Sequence, residues 1–381
     1  MTFFDYNPRT RIVFGAGAID QLGALAAELG GRRALIVTDP GIVAAGHVAR
    51  AQASLTSAGL KVVVFDGVKE NPTTHHVDAG LAVAREHEID LLVGLGGGSS
   101  MDCAKGINFL LTNGGKMADY WGVGKATKPM LPMIGVPTTA GTGSECQSFA
   151  LIADPDTHQK MACGDKKAAC RIALLDPVLT VSQPPAVTAA SGIDALSHAI
   201  ESYVTLAATP ISQAFSRQAW QLLEPSFEIV LREPGNLKAR SSMLLGAALA
   251  GMAIENSMLG AAHSCANPLT ARFGITHGLA VALMLPHVVR FNRTAVGHQY
   301  EKLAAAAGRN GPLSDDAADW LAGRFEQLRQ SAGIKGRLSD FGVADNVLAE
   351  LAHEAAGQWT AAYNPRPVNE HDLLELYRCA L

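Results

Sequence analysis

The sequence predicts an α/β domain followed by an all-α domain, with the change near residue 185. Over residues 33–137, short apolar runs alternate with amphipathic stretches of helix length, the pattern of βαβ units around a mainly parallel sheet. Beyond Pro184 and Pro185, Ala, Leu, Glu and Gln dominate between Gly and Pro breaks, and almost no strand signal remains. The length of 381 residues exceeds the usual single core, so residues 1–185 and 186–381 are expected as two domains.

In the first half, RRALIVTD reads as strand, GIVAAGHVARAQASLTSAG as helix, LKVVVFDG as strand and THHVDAGLAVAREHE as helix. IDLLVGLGG follows as strand, SMDCAKGINFLLTNG as helix and LPMIGVPTT as strand. SECQSFALIAD and RIALLDP are expected as antiparallel additions around a polar loop at 153–160. In the second half, SGIDALSHAIESYVT, SRQAWQLLEPSFEIVLR, RSSMLLGAALAGMAIENS, HGLAVALMLPHVVRFN, DDAADWLAGRFEQLRQ and EHDLLELYRCA suit helices.

The chain is 48% hydrophobic and only 6% aromatic, with 38 glycines, which favours close helix packing. A net charge of −4 without a basic run argues against nucleic acid and against an anionic membrane surface as partners. The N-terminus lacks the basic head and apolar stretch of a secretory signal. The longest apolar runs, such as MLLGAALAGMAI, fall short of the roughly 20 residues that span a bilayer. Six scattered cysteines without a CxxC pair read as reduced thiols of a cytoplasmic protein, Cys265 among them as a small apolar filler.

Gly96, Gly97, Gly98, Ser99, Ser100 and Asp102 follow a strand and open a helix. Glycines admit an anion to backbone N–H groups, and a helix N-terminus adds orphan donors and a positive dipole end, so the segment suits a pyrophosphate. It departs from GxGxxG at Ser99 and follows the third strand, so a standard dinucleotide fingerprint is not expected. A tight strand-to-helix turn is the competing reading. Thr138, Thr139, Thr142 and Ser144 form a second hydroxyl-rich loop after a strand, able to donate to phosphate or ribose oxygens. Asp39 ends the first of these strands; a carboxylate there suits ribose hydroxyls and repels a 2′-phosphate, favouring NAD over NADP, or it simply forms the turn before Pro40 and Gly41.

Asp194 and His198 stand four apart on one predicted helical face, and His263 and His277 bracket a segment punctuated by Pro and Gly. Three imidazoles and a carboxylate suit a divalent transition metal, although spacing alone does not bring the distant pairs together. Such an ion acidifies an alcohol hydroxyl and polarises a carbonyl. A metal and a nucleotide in one chain point to redox chemistry or metal-assisted group transfer.

The ordered motifs FGAGAIDQLG (14–23), GGGSSMDCAKGIN (96–108), PTTAGTGSE (137–145), GIDALSHAIESY (192–203), His263 with His277-Gly278 and LPHVVRFN (285–292), and NPRPV (364–368), resemble the iron-containing, or group III, alcohol dehydrogenases along essentially the whole chain. The resemblance implies a dehydroquinate synthase-like fold: an α/β N-terminal nucleotide-binding domain plus an all-α C-terminal domain. It implies Asp194, His198, His263 and His277 as ligands of Fe2+ or, alternatively, Zn2+. On the cofactor side it implies Gly97, Gly98, Ser99, Asp102, Thr138, Thr139 and Ser144, with Asp39 selecting NAD and Asn71 and Lys160 nearby. The implied activity is NAD-dependent interconversion of small primary alcohols or diols with aldehydes, by a homo-oligomer, dimer or higher. Many relatives carry a histidine four residues after the third ligand; here Asn267 stands there, a group that does not titrate but can contact a substrate hydroxyl. Gln147 and Phe149 either face the substrate or pack. A dehydroquinate synthase-like lyase and a non-catalytic relative are the alternative functions.

Overall fold

The computed structural model describes residues 4–156, 159–308 and 316–381, so the centre of the polar loop expected at 153–160 and the first residue of the helix expected from 315 lie outside the described residues. The chain divides into two compact units. One comprises residues 7–183; the other comprises residues 184–381 together with the segment that ends at Tyr6.

The first unit runs β1 (Arg11–Phe14), α1 (Leu22–Glu28), β2 (Arg33–Val37), α2 (Pro40–Ala44), α3 (His47–Ser57), β3 (Lys61–Phe65), α4 (Thr74–Glu86), β4 (Leu91–Gly96) and α5 (Gly98–Asn113). It continues with β5 (Gly122–Val123), β6 (Met133–Pro137), β7 (Phe149–Ala153), β8 (Lys160–Gly164) and β9 (Ile172–Leu175). Six strands form one parallel sheet in the order β1-β9-β6-β4-β2-β3. Successive strand residues alternate between its faces. Leu35, Val37 and Leu92 join a core with Val77, Ile107 and Phe109 of α4 and α5. Ala34, Ile36 and Val93 join the opposite one with Leu22, Leu25, Ala51 and Leu55 of α1 and α3.

Two segments differ from expectation. RIALLDP supplies β9, which is not an antiparallel addition but pairs in parallel with both β1 and β6. All four of its residues are buried, as befits a continuous apolar run inside a parallel sheet. Only SECQSFALIAD behaves as expected, giving β7, which pairs antiparallel with β8 in a separate three-stranded sheet. The long helix expected over 41–59 is two helices, because Gly46 takes a left-handed φ of +81° between α2 and α3.

The second unit has no strand among its described residues. It is built from α6 (Pro185–Val204), α7 (Pro210–Arg232), α8 (Leu237–Glu255), α9 (Ala261–Phe273), α10 (His277–Ala306), α11 (Ala317–Ser331), α12 (Leu348–Ala356) and α13 (Glu370–Ala380). Proline at the first helical position starts α6 and α7, where its missing N–H costs nothing. α8 is long and apolar enough to cross a membrane by length and hydropathy, but most of it is buried within the protein, where it packs on α6 and α7.

Candidate active site

Asp194, His198 and Glu201 occupy one face of α6 at a spacing of four and then three residues. His263 lies in the first turn of α9, and His277 is the first residue of α10. The helical unit thus brings Asp194, His263 and His277 together, with His198 beside Asp194. Asp194 Oδ1 lies 3.4 Å from His198 Nε2, 3.7 Å from His263 Nε2 and 3.9 Å from His277 Nε2. These separations exceed hydrogen-bonding distance. The atoms are spaced as donors around a shared ion, not as hydrogen-bonded pairs. Asp194, His263 and His277 each direct one donor atom within 4.8 Å of the others.

Asp194 Oδ1 and His263 Nε2 are buried and accept or donate no hydrogen bond within the protein. Two such atoms facing each other are costly unless something satisfies both, and a cation does so. The residues therefore fit a divalent metal. The side chain of His277 is 28% exposed, against 5% for Asp194, so the set opens on the His277 side. Burial would raise the Asp194 carboxyl, but the facing imidazoles of His198, His263 and His277 hold it well below the usual carboxylate range. Burial would likewise depress His263; the charges of Glu201 and Asp194 overcome this and push it up to about 9.

Close helix approach makes the set possible. A Cβ on Gly278 would lie 2.1 Å from the Ala190 carbonyl oxygen and 3.3 Å from the Asp194 Cβ. Glycine after His277 therefore lets the start of α10 rest directly on α6. Asn267 sits on α9 and donates from Nδ2 to Gln358 Oε1 at 3.0 Å, so its orientation is held by a second amide.

In the α/β unit, Gly97 caps α5 and Gly97, Gly98 and Ser99 are partly exposed at its N-terminus. The loop after β6 packs against them: a Cβ on Gly98 would meet the Thr142 side chain at 2.8 Å, and one on Gly97 would meet Thr139 at 3.5 Å. The glycines thus serve loop packing as well as access to the backbone. Thr138 donates its backbone N–H to the Gly96 carbonyl, and its buried Oγ1 has no partner in the protein. Asp39 realises the turn reading: Oδ1 accepts from the N–H groups of Gly41 and Ile42 at 2.9 and 3.2 Å, while Oδ2 faces Gly96. Asn71 holds a left-handed φ of +51°, a conformation Asn tolerates better than most residues. Lys160 begins β8, near enough for its charge to act on Asp102.

Asp102 and Ser144 are engaged with each other. Ser144 Oγ donates to Asp102 Oδ1 at 2.6 Å and accepts from the fully buried Lys105 Nζ at 2.8 Å. Lys105 also donates to the carbonyl oxygens of Ser144 and Phe149, tying α5 to the second loop. Burial raises the Asp102 carboxyl, against the opposing pull of Lys105 and Ser144. The ring of Phe149 packs on Gly164, and Gln147 Nε2 donates to the Thr142 carbonyl. Sequence reasoning missed Lys105, Glu145 and Glu201. Glu201 carried a signal, since it lies seven residues after Asp194 on the same helical face.

A parallel sheet with glycine loops at its strand ends and a helical unit that gathers imidazoles around one carboxylate suit a protein that binds a nucleotide and a metal. The family model for iron-containing alcohol dehydrogenase matches residues 8–177, and that for the C-terminal part of the same family matches 188–381. The chain is 36% identical over 381 residues to the 1,3-propanediol dehydrogenase of Klebsiella pneumoniae, covering 99% of this chain and 98% of that one. A solved 1,3-propanediol oxidoreductase superposes with a TM-score of 0.96 at 35% identity, covering all of both chains. Sulfoacetaldehyde reductase from Bifidobacterium kashiwanohense, solved in complex with NAD+, gives 0.90 at 28% identity and covers 100% of this chain and 99% of that one. The chain belongs to the iron-containing alcohol dehydrogenase family, oxidoreductases of CH–OH groups that use NAD and a metal.

Proposed function

We propose that Asp194, His198, His263 and His277 hold Fe2+, or Zn2+ in its place, and that the chain interconverts small primary alcohols or diols with their aldehydes. One observation carries this reading: a single buried carboxylate oxygen faces three imidazole Nε2 atoms at 3.4–3.9 Å with no hydrogen bond of its own. When bound, the metal supplies a Lewis acid for the alcohol oxygen and NAD supplies the hydride acceptor. Asp194 supplies the one negative charge of the set, and the three imidazoles act as neutral donors, which leaves the site positive and receptive to an alkoxide. The helix start at Gly97, Gly98 and Ser99 and the hydroxyls of Thr138 and Thr139 face the nucleotide phosphates, with Asn71 and Lys160 beside them. Asp102 and Ser144 hold the two loops together through Lys105. Asp39 keeps its second oxygen for a ribose and disfavours a 2′-phosphate. Asn267, fixed by Gln358, orients a substrate hydroxyl and takes no proton. The 1,3-propanediol activity of the relatives named above supports diols as substrates. Residues 1–185 carry the nucleotide and 186–381 the metal; the protein works in the cytoplasm as a homo-oligomer, without nucleic acid or membrane.

The test is NADH formation with ethanol, propanol, 1,2-propanediol and 1,3-propanediol, using protein loaded with Fe2+ or Zn2+ and protein treated with a chelator. Metal-dependent NAD reduction is expected with at least one of these alcohols. Absence of turnover with all four after loading would count against this substrate class.

A further inference from the structure

The carboxylate of Glu201 has no place in the metal set, yet it is buried and sits against it. Its side chain is 4% exposed, and a buried carboxylate is costly unless both oxygens are bonded. Both partners belong to the first turn of α9. Oε1 accepts from the Ala262 backbone N–H at 2.8 Å, and Oε2 lies 2.5 Å from His263 Nδ1. A backbone amide can only donate, and an ionised carboxylate can only accept. The proton of a neutral His263 ring is therefore assigned to Nδ1, and the lone pair to Nε2. That Nε2 is the buried atom facing Asp194 Oδ1 at 3.7 Å.

The backbone under this contact is held by two motifs that the cofactor and metal leave unexplained. Asn364 of NPRPV accepts at Oδ1 from the Ala261 N–H at 3.2 Å. It exchanges reciprocal side-chain bonds of 3.1 and 2.7 Å with Asn292, the last residue of LPHVVRFN. Arg366 donates to the Phe291 carbonyl and lies 3.7 Å above the Phe291 ring. Gly260 admits both acceptors, since a Cβ there would lie 3.0 Å from Glu201 Oε1 and 3.0 Å from Asn364 Oδ1. Three consecutive donors, the N–H groups of Ala261 and Ala262 and the ring N–H of His263, thus meet two buried acceptors. They include helix-start N–H groups that would otherwise be orphans.

We propose that Glu201 is a positioning residue that fixes His263 in the Nδ1–H tautomer, leaving Nε2 as the metal donor, and that the Asn292–Asn364 pair holds the helix start on which this depends. The inference rests on His263 being a ligand of the metal proposed above. A hydrogen-bonded carboxylate behind a ligating histidine orients the ring and raises its basicity.

Glu201→Gln separates this role from plain helix capping. Glutamine keeps the shape but has one acceptor and one donor. With its oxygen toward Ala262 the cap survives, but its NH2 forces His263 to accept at Nδ1 and moves the ring proton to Nε2. With its oxygen toward His263, its NH2 opposes the Ala262 N–H. The full-length apoprotein is titrated with Co2+ against a competing chelator, with the Co2+ absorption spectrum recorded and the apoprotein melting temperature measured in parallel. E201Q is expected to bind Co2+ about 10- to 100-fold more weakly and with an altered spectrum. Asn364→Ala is expected to weaken binding by less. If E201Q binds within about twofold of the unaltered protein while His263→Ala loses the ion, Glu201 is only a cap and the inference fails. If His263→Ala itself binds normally, the metal reading fails instead. Should E201Q not fold, histidine-selective nitrogen NMR of the unaltered Zn2+ form decides: a ring proton on Nδ1 of His263 is expected, and one on Nε2 overturns the proposal.

Discussion

Gly278→Ala tests how tightly the site depends on the approach of α10 to α6. The added methyl would stand 2.1 Å from the Ala190 carbonyl oxygen and 2.9 Å from its carbon. Both obstacles are backbone, so no side chain can rotate away. Restoring ordinary contact of about 3.5 Å requires a displacement of roughly 1 Å or more at the start of α10. His277 is the adjacent residue, and metal–ligand distances tolerate only about 0.2 Å. The substitution should therefore remove His277 from the set and weaken metal binding by about 100-fold or more. Overpacking costs about 1–3 kcal/mol, offset by up to about 1 kcal/mol from the better helix propensity of alanine. The protein should stay folded, which allows affinity to be read. Gly323→Ala is the control: nothing lies within 4 Å of a Cβ there, in the middle of α11, so it should leave metal affinity unchanged. Metal titration by chelator competition, with thermal unfolding of the apoprotein, measures both effects. A Gly278→Ala protein with unaltered affinity and melting temperature would refute the argument that this glycine sets the ligand geometry.

Three further outcomes are expected. Glu145 is buried, neither carboxyl oxygen bonds another residue, and burial pushes its carboxyl up to about 7 against the opposing influence of its own backbone N–H and of Lys105. A carboxyl raised on folding contributes stability below its unfolded value of 4.5 and loses it as pH rises toward 7, about 3 kcal/mol in all. Glu145→Gln apoprotein should lack that pH-dependent loss, and parallel denaturation curves for the two proteins across this range would contradict it. Asp39→Asn keeps a residue able to cap α2 but removes the charge, so the ratio of NADP to NAD turnover should rise; an unchanged ratio would reject a selecting role for Asp39. Asn267→His introduces a titrating group beside Gln358 and should add an ionisation to the pH dependence of kcat/KM, whereas an identical profile would place this position outside substrate contact.

The readable parts of this site were those with a local period. Asp194, His198 and the missed Glu201 share one helical face, and the glycine loops follow short, continuously buried apolar runs that alternate with helix-length stretches. The place of β9 was not readable, because a short apolar run fits an edge addition as well as an interior strand, and only pairing with β1 and β6 decides. The bond between Ser144 and Asp102 spans 42 residues, and that between Glu201 and His263 spans 62. Such partnerships depend on which helices meet and leave no periodic trace. The left-handed break at Gly46 was masked by flanking residues that favour helix on both sides.

The proposed function rests on one ion held among Asp194, His198, His263 and His277 and required for alcohol oxidation. Its most direct test is metal analysis of protein reconstituted anaerobically with Fe2+, alongside NAD reduction with 1,3-propanediol, for the unaltered chain and for His263→Ala. One tightly held ion per chain with turnover, and loss of both in a folded His263→Ala protein, is the expected result. A His263→Ala protein that retains both the ion and full turnover would contradict the account.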